Sequence, residues 1–297
     1  MKILLLGKNG QVGWELQRSL APLGELIALD RQTIDGLCGD LANLSALRDS
    51  IDQVRPDVIV NAAAYNAVDK AESESELALR VNGQAIQVMA EEAVRLGAWL
   101  VHYSTDYVFD GKGQTPWQES DVPAPLNRYG ESKLAGEMAI QASGCKHLIF
   151  RTSWVFAARG QNFAKTMLRL ARERQELNVI NDQVGAPTGA ELIADVTALA
   201  LQQALTRPEL AGLYHLAAAG EVSWHGYARH VLDFAKASGE ELAVQMINPI
   251  DAVAYPTPAR RPLNSRLNTQ KLRTNFSLHL PDWQSGVTRM LREVLNK

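Results

Sequence analysis

The feature that most constrains this chain lies near its N-terminus. An apolar run, Ile3–Leu6, stops at Gly7, and Gly7-Lys8-Asn9-Gly10-Gln11-Val12-Gly13 then leads into a segment of helical period from about Gln11 to Leu20. Three glycines at that spacing permit a tight turn and a close approach where a Cβ would collide. The helix that follows aims unpaired N–H groups and the positive end of its dipole at the turn, which suits an anion such as a pyrophosphate. A buried strand joined to a helix by so short a turn is half of a βαβ unit. That commits the chain to a parallel sheet with helices on its faces.

The N-terminal half continues the alternation. Strands are expected at Glu25–Leu29, Asp57–Asn61, Trp99–Ser104 and His147–Thr152. Helices are expected from Asn43, as the cap, to about Val54, then at Ser75–Leu96 and Tyr129–Ser143. Asp110–Asn127, rich in Pro, Gly and acids, reads as a long functional loop. Beyond Phe156 the alternation is less regular, with helices at Asn162–Arg174, Glu191–Leu205 and Ser223–Ala237 and a short strand at Leu213–Leu216. Tyr255–Pro262 has too many prolines for a regular helix. The expected fold class is α/β. Residues 1–156 form a Rossmann-type doubly wound parallel sheet, and 157–297 form a smaller, mainly substrate-binding lobe with segments that return to the sheet.

Composition removes several function classes. A chain of 297 residues buries roughly 75% of its unfolded surface, so no disulfide or metal staple is needed. A net charge of −3 gives no basic footprint for nucleic acid. Cys38 and Cys145 form no CxxC pair and read as structural thiols of a reducing compartment. The apolar run before Gly7 is too short for a signal peptide, and no stretch approaches the roughly 20 apolar residues of a membrane span. A soluble, cytoplasmic protein without a membrane partner is expected.

Two sets of residues carry chemistry. The first is the dinucleotide set: Gly7, Gly10, Gln11, Val12 and Gly13 at the turn, with Asp30 near the spacing expected of a carboxylate on the adenosine ribose. Asp30 favours NAD, while the neighbouring Arg31 suits the 2′-phosphate of NADP, so the choice between NADH and NADPH stays open. Asp40-Leu41 and Ala62-Ala63-Ala64 fall at the next two sheet-edge positions. The second set is Tyr129-Gly130-Glu131-Ser132-Lys133. A phenol and an ammonium four residues apart share a helix face, and the ammonium is expected to lower the phenol's pKa for proton exchange. Ser104-Thr105-Asp106, at the end of the fourth strand, places a hydroxyl where it can hold a carbonyl.

These residues resemble the extended short-chain dehydrogenase/reductase superfamily. STDYVFDG (Ser104–Gly111), YGESKLAGE (Tyr129–Glu137), RTSWV (Arg151–Val155), VINDQVGAPT (Val179–Thr188), DKAE (Asp69–Glu72) and RRPLNSRL (Arg260–Leu267) are similar to its dTDP-4-dehydrorhamnose reductase family, from Met1 to about Leu291. The resemblance implies reduction of the C4 ketone of dTDP-4-dehydro-L-rhamnose by NADPH or NADH. It makes Tyr129 the proton donor, Lys133 its partner and ribose contact, and Thr105 the carbonyl ligand, with Asp106 beside it. It adds Ala64, Tyr65, Asn66 and Tyr103 to the cofactor set; Asn66 stands where many members have threonine. It also makes Trp154 a sugar contact, with plain core packing as the alternative. Arg260 and Arg261 suit a diphosphate, the alternative being a solvated basic turn. Glu15, Glu191 and Glu293 resemble a magnesium-linked homodimer contact, or are simply solvated acids. Competing functions within the fold are a non-catalytic NADP-binding regulatory subunit and a sugar-nucleotide epimerase or dehydratase.

Overall fold

The apolar runs become one sheet. A computed structural model describes all 297 residues. The first half runs β1 (Lys2–Leu6), α1 (Gln11–Leu20), β2 (Glu25–Leu29), α2 (Leu44–Val54), β3 (Val58–Asn61), α3 (Val68–Ala71), α4 (Ser75–Leu79), α5 (Ala85–Leu96), β4 (Trp99–Thr105), α6 (Arg128–Ser143) and β5 (Lys146–Thr152). Then come β6 (Val155–Phe156), α7 (Phe163–Glu173), β7 (Glu176–Ile180), β8 (Val184–Gly185), β9 (Thr188–Gly189), α8 (Ala190–Thr206) and β10 (Gly212–His215). The chain ends with β11 (Val222–Ser223), α9 (Trp224–Ala237), β12 (Met246–Ile250), α10 (Gln270–Phe276) and α11 (Trp283–Leu295).

The main sheet has the order β10-β5-β4-β3-β1-β2, and every pairing in it is parallel. The chain leaves β1 for β2 on one side and reaches β3 on the other, so the carboxyl ends of β1 and β3 flank a switch point where open α/β sheets bind ligands. Alternate side chains of β1 feed different cores because β1 is buried on both faces: Ile3 and Leu5 pack with α1, α8 and α10, while Leu4 and Leu6 pack with α2 and α5. A third cluster, built on α7, α9 and α11, is the core of the second lobe. From the C-terminal half, α8, β10 and α10 return to the first cluster.

Three details differ from the sequence expectation. The long helix over Ser75–Leu96 is interrupted by a π-helical turn, Arg80–Gln84, which buries Asn82. The fourth strand runs one residue further, so Thr105 ends it. The parallel pair β7–β12 and the helices α10 and α11 were not expected; Pro249 within Met246–Ile250 hides a strand that lies at an edge, where a missing N–H is tolerated.

Candidate active site

At the first turn, the glycines are there to let backbones touch. Gly7 has φ 88°, and a Cβ on it would sit 2.6 Å from Ala63 N. A Cβ on Gly13 would sit 2.0 Å from Gly7 O, so the turn closes only without side chains. Gly10 caps α1 with no side-chain hydrogen bond, leaving the N–H groups of the first turn open to the cleft. Asp30, past the end of β2, accepts from Asn9 Nδ2 at 2.5 Å and from Gln32 N, with Lys8 Nζ 3.9 Å away. Arg31 is exposed beside it, Asp40 accepts from Ala42 N, and Leu41 is buried. From the second lobe, Asn162 Nδ2 reaches Gln11 Oε1 at 3.3 Å and Arg159 reaches the Asn9 carbonyl, so both lobes border this turn.

After β3, the half-buried Ala62, Ala63, Ala64 and Tyr65 line the next edge, with Asn66 exposed. Asn82 of the π turn fixes this loop. It accepts from Tyr65 N (2.9 Å) and donates to the Tyr65 carbonyl (3.1 Å) and to Ser132 Oγ (3.0 Å). Ser132 in turn donates to the Tyr129 carbonyl, so one side chain ties the Tyr65 loop to α6. Sequence reasoning missed Asn82; its only signal is an asparagine within a helical pattern.

The α6 end of the site is capped by Asn127. Its Oδ1 accepts from Gly130 N (2.8 Å) and its Nδ2 donates to the Arg260 carbonyl (2.7 Å). Gly130 lets α6 press on the turn after β4, since a Cβ there would lie 2.3 Å from Tyr107 O. The Tyr129 ring meets Tyr107 edge-on at 5.8 Å, and its phenol lies beside the Thr105 hydroxyl. Thr105 Oγ1 also accepts from Tyr107 N at 3.1 Å and donates to Asp106 Oδ1 at 3.1 Å. The Tyr129 phenol is pushed well above its ordinary value, first by burial and then by Asp106, with Thr105 pulling the other way. The sequence expectation of a phenol lowered by Lys133 is therefore not met: Lys133 is not among the groups that shift Tyr129, and burial raises it.

Lys133 is buried, donates to the Tyr103 carbonyl at 2.5 Å and lies 3.4 Å from His102 Nε2. Burial lowers its pKa to about 8, partly offset by Glu137. Tyr103 reaches the cleft only through that carbonyl; its ring stacks on Phe150 and its hydroxyl bonds Thr197. Asp106 is pushed up to about 7 by burial, against the pull of the Ser265 and Thr105 hydroxyls.

The second lobe forms the opposite wall. Trp154 sits at φ 50°, a region that side-chain-bearing residues seldom occupy, and stacks on Trp224 with centroids 3.6 Å apart. Arg261 pairs with Asp69 at 2.8 Å and lies beside Tyr107, while Arg260 is exposed. Ser104 Oγ, Asp106 Oδ2 and Arg261 Nη1 are buried without protein partners. Polar atoms so placed suit a bound polar ligand, since burial without a partner is costly. Glu15, Glu191 and Glu293 share a cavity of about 260 Å³, but no three acids stand at metal-ligand spacing. Glu15 pairs with Arg18 and Glu191 with Arg289.

Residues 1–296 match the family model described as the RmlD substrate binding domain. The chain is 61% identical to a dTDP-4-dehydrorhamnose reductase of Shigella flexneri, covering 99% of this chain and 98% of that one. A solved dTDP-4-dehydrorhamnose reductase of Clostridium acetobutylicum superposes with a TM-score of 0.89 at 32% identity over 100% of both chains. The Bacillus anthracis enzyme, solved in complex with NADP, gives 0.86 at 34% identity over 98% of this chain and 99% of that one.

Proposed function

The chain belongs to the RmlD substrate binding domain family, and on that premise we propose that it reduces the C4 ketone of dTDP-4-dehydro-L-rhamnose to dTDP-L-rhamnose with NADPH or NADH. The observation that carries the reading is the Tyr129 phenol beside the Thr105 hydroxyl, with Lys133 one turn on along the same helix. A non-catalytic binding subunit has no need of that constellation. A dehydratase would carry an acid pair after the threonine, where this chain has Asp106-Tyr107.

The fit to a dinucleotide rests on the side-chain-free turn at Gly7 and Gly13 and on the uncapped start of α1. Gly10, Gln11 and Val12 would hold its pyrophosphate. Asp30 and Arg31 would face the adenosine ribose, and Asp40, Leu41 and Ala62–Asn66 would flank adenine and the second ribose, with Lys133. When bound, the nicotinamide supplies the hydride. Thr105 turns its hydroxyl proton from Asp106 to the ketone oxygen and holds the carbonyl in line. Tyr129, whose burial keeps it protonated, then gives its proton to the forming alkoxide, a far stronger base than phenolate. Trp154 flanks the sugar and Arg261, with Arg260 at the rim, takes the diphosphate. Residues 1–156 carry the cofactor and the proton donor; 157–297 mainly close over the sugar nucleotide.

A cytoplasmic location fits the two free, buried cysteines, and no helix is long and apolar enough to cross a membrane. Because Glu15, Glu191 and Glu293 are not a closed ligand set within one chain, a magnesium-linked homodimer would need carboxylates from a second copy.

The test is turnover of dTDP-4-dehydrorhamnose followed by nicotinamide absorbance. Tyr129→Phe should lower kcat by roughly 10²–10⁴ with cofactor binding retained. No turnover by the native chain, or undiminished turnover by the variant, would refute the reading.

A further inference from the structure

His102 has no part in the chemistry described so far, yet it lies against Lys133. It is 1% exposed, in the middle of β4, with Nε2 3.4 Å from Lys133 Nζ and Nδ1 3.2 Å from Asn61 Nδ2. The protons on this triad can be assigned from one backbone contact. Ala63 N–H points at Asn61 Oδ1 at 3.1 Å, so the amide cannot be turned the other way without setting two donors face to face. Asn61 Nδ2 therefore donates toward His102, and Nδ1 accepts. In a neutral imidazole the single proton then sits on Nε2, which faces Lys133. A second proton on the ring would oppose the Asn61 amide, and burial together with Lys133 holds His102 well below its ordinary pKa.

An imidazole N–H opposes an ammonium and suits an amine lone pair. We propose that His102 is a positioning residue of the proton-transfer site: anchored by Asn61, it offers its Nε2–H to Lys133, so the lysine can give up a proton without leaving a bare lone pair in the interior. The proposal rests on Tyr129 being the proton donor of a carbonyl reduction. When Tyr129 passes its proton to the substrate oxygen, a proton leaving Lys133 restores the phenol. The Lys133 amine then accepts from His102 Nε2 and keeps its own bond to the Tyr103 carbonyl. After product leaves, solvent returns one proton to Lys133 and the balance closes. Besides His102, the charged group that acts on Lys133 is Glu137, which is held by a bidentate bond from Arg151; Tyr129 in the first turn of α6 and Asp106 and Tyr107 after β4 interact with one another.

Imidazole ¹⁵N resonances of the full-length protein, labelled at its six histidines, read the tautomer directly, with His102 identified by its loss in His102→Gln. The expected result is a neutral ring protonated at Nε2 across the range of activity. A proton on Nδ1, or on both nitrogens, overturns the proposal, whatever becomes of the Tyr129 assignment. The functional arm uses Asn61→Asp, whose carboxylate still accepts from Ala63 N but draws the imidazole proton to Nδ1. Nε2 then becomes an acceptor that favours the ammonium of Lys133. The high-pH limb of kcat/KM, where the relay starts without its proton, should move up by about one pH unit. A limb that stays in place while kcat falls uniformly would reduce Asn61 and His102 to structural packing. Should Asn61→Asp not fold, the wild-type tautomer decides alone. Tyr129→Phe separates the two readings: undiminished activity there refutes the proton-donor role and leaves the tautomer measurement standing.

Discussion

Asp106 shows how burial sets the behaviour of single residues at this site. Its carboxyl is held up at about 7, chiefly by burial. Below about pH 4 the group is protonated in folded and unfolded chains alike, and it costs nothing. As pH rises toward 7 the unfolded chain ionises freely and the folded one resists, so stability is lost across that window by about 4 kcal/mol. Asp106→Asn should flatten that slope in urea denaturation between pH 4 and 8; parallel slopes in the two proteins would place the ionisation elsewhere. Asp30 poses the cofactor question. A carboxylate repels a 2′-phosphate, more strongly in a cleft than in water. Asn9 and Lys8 already engage Asp30, and Arg31 stands beside it. Both NADH and NADPH should therefore support turnover within about a hundredfold, about 3 kcal/mol. Asp30→Ala should shift the ratio toward NADPH and Arg31→Ala toward NADH. An unchanged ratio in both variants would mean that neither residue reads the ribose.

At the scale of elements, α6 carries the proton donor and depends on its first turn. Asn127 satisfies one backbone donor of that turn and ties it to the segment bearing Arg260 and Arg261. Asn127→Ala should cost about 1 kcal/mol as a lost cap. It should also raise KM for the sugar nucleotide more than KM for the cofactor, because the tie to Arg260 goes with it. Thermal denaturation with steady-state kinetics reads both; an equal rise for the two ligands would make the residue a cap and nothing more. The π turn at Arg80–Gln84 shows what helical period cannot convey. Its residues keep helical polarity, and the widened turn exists because Asn82 bonds a loop and a helix distant from it in sequence.

For the whole molecule, assembly turns on three acids. Glu15, Glu191 and Glu293 lie on α1 and α8 and near the end of α11, and together they make one wall of a cavity acidic. Glu15 is raised, first by burial and then by Glu191, so the acids repel one another within one chain. A divalent cation would relieve that repulsion, with a second copy completing the ligand set. Sedimentation should give a dimer in magnesium and a shift toward monomer in chelator, and Glu191→Gln should weaken the dimer. A monomer under every condition would leave the trio as solvated acids.

The parallel sheet, the glycine turn and the Tyr129–Lys133 spacing are legible in the sequence because each rests on contacts within a few residues: an apolar run, a turn that needs φ 88° at Gly7, two side chains one helical turn apart. The dinucleotide edge is legible for the same reason, since the residues after each parallel strand must converge at one end of the sheet. Only the tertiary structure decided which groups surround those residues. Asn61 meets His102 across 41 positions, Arg261 meets Asp69 across 192, and Trp154, in the bend after β5, stacks on Trp224 of α9. The pKa of Tyr129 depends on the tertiary structure in the same way. The expected lowering by Lys133 is a local effect of charge, whereas the rise comes first from desolvation, which is summed over every element that closes on the phenol.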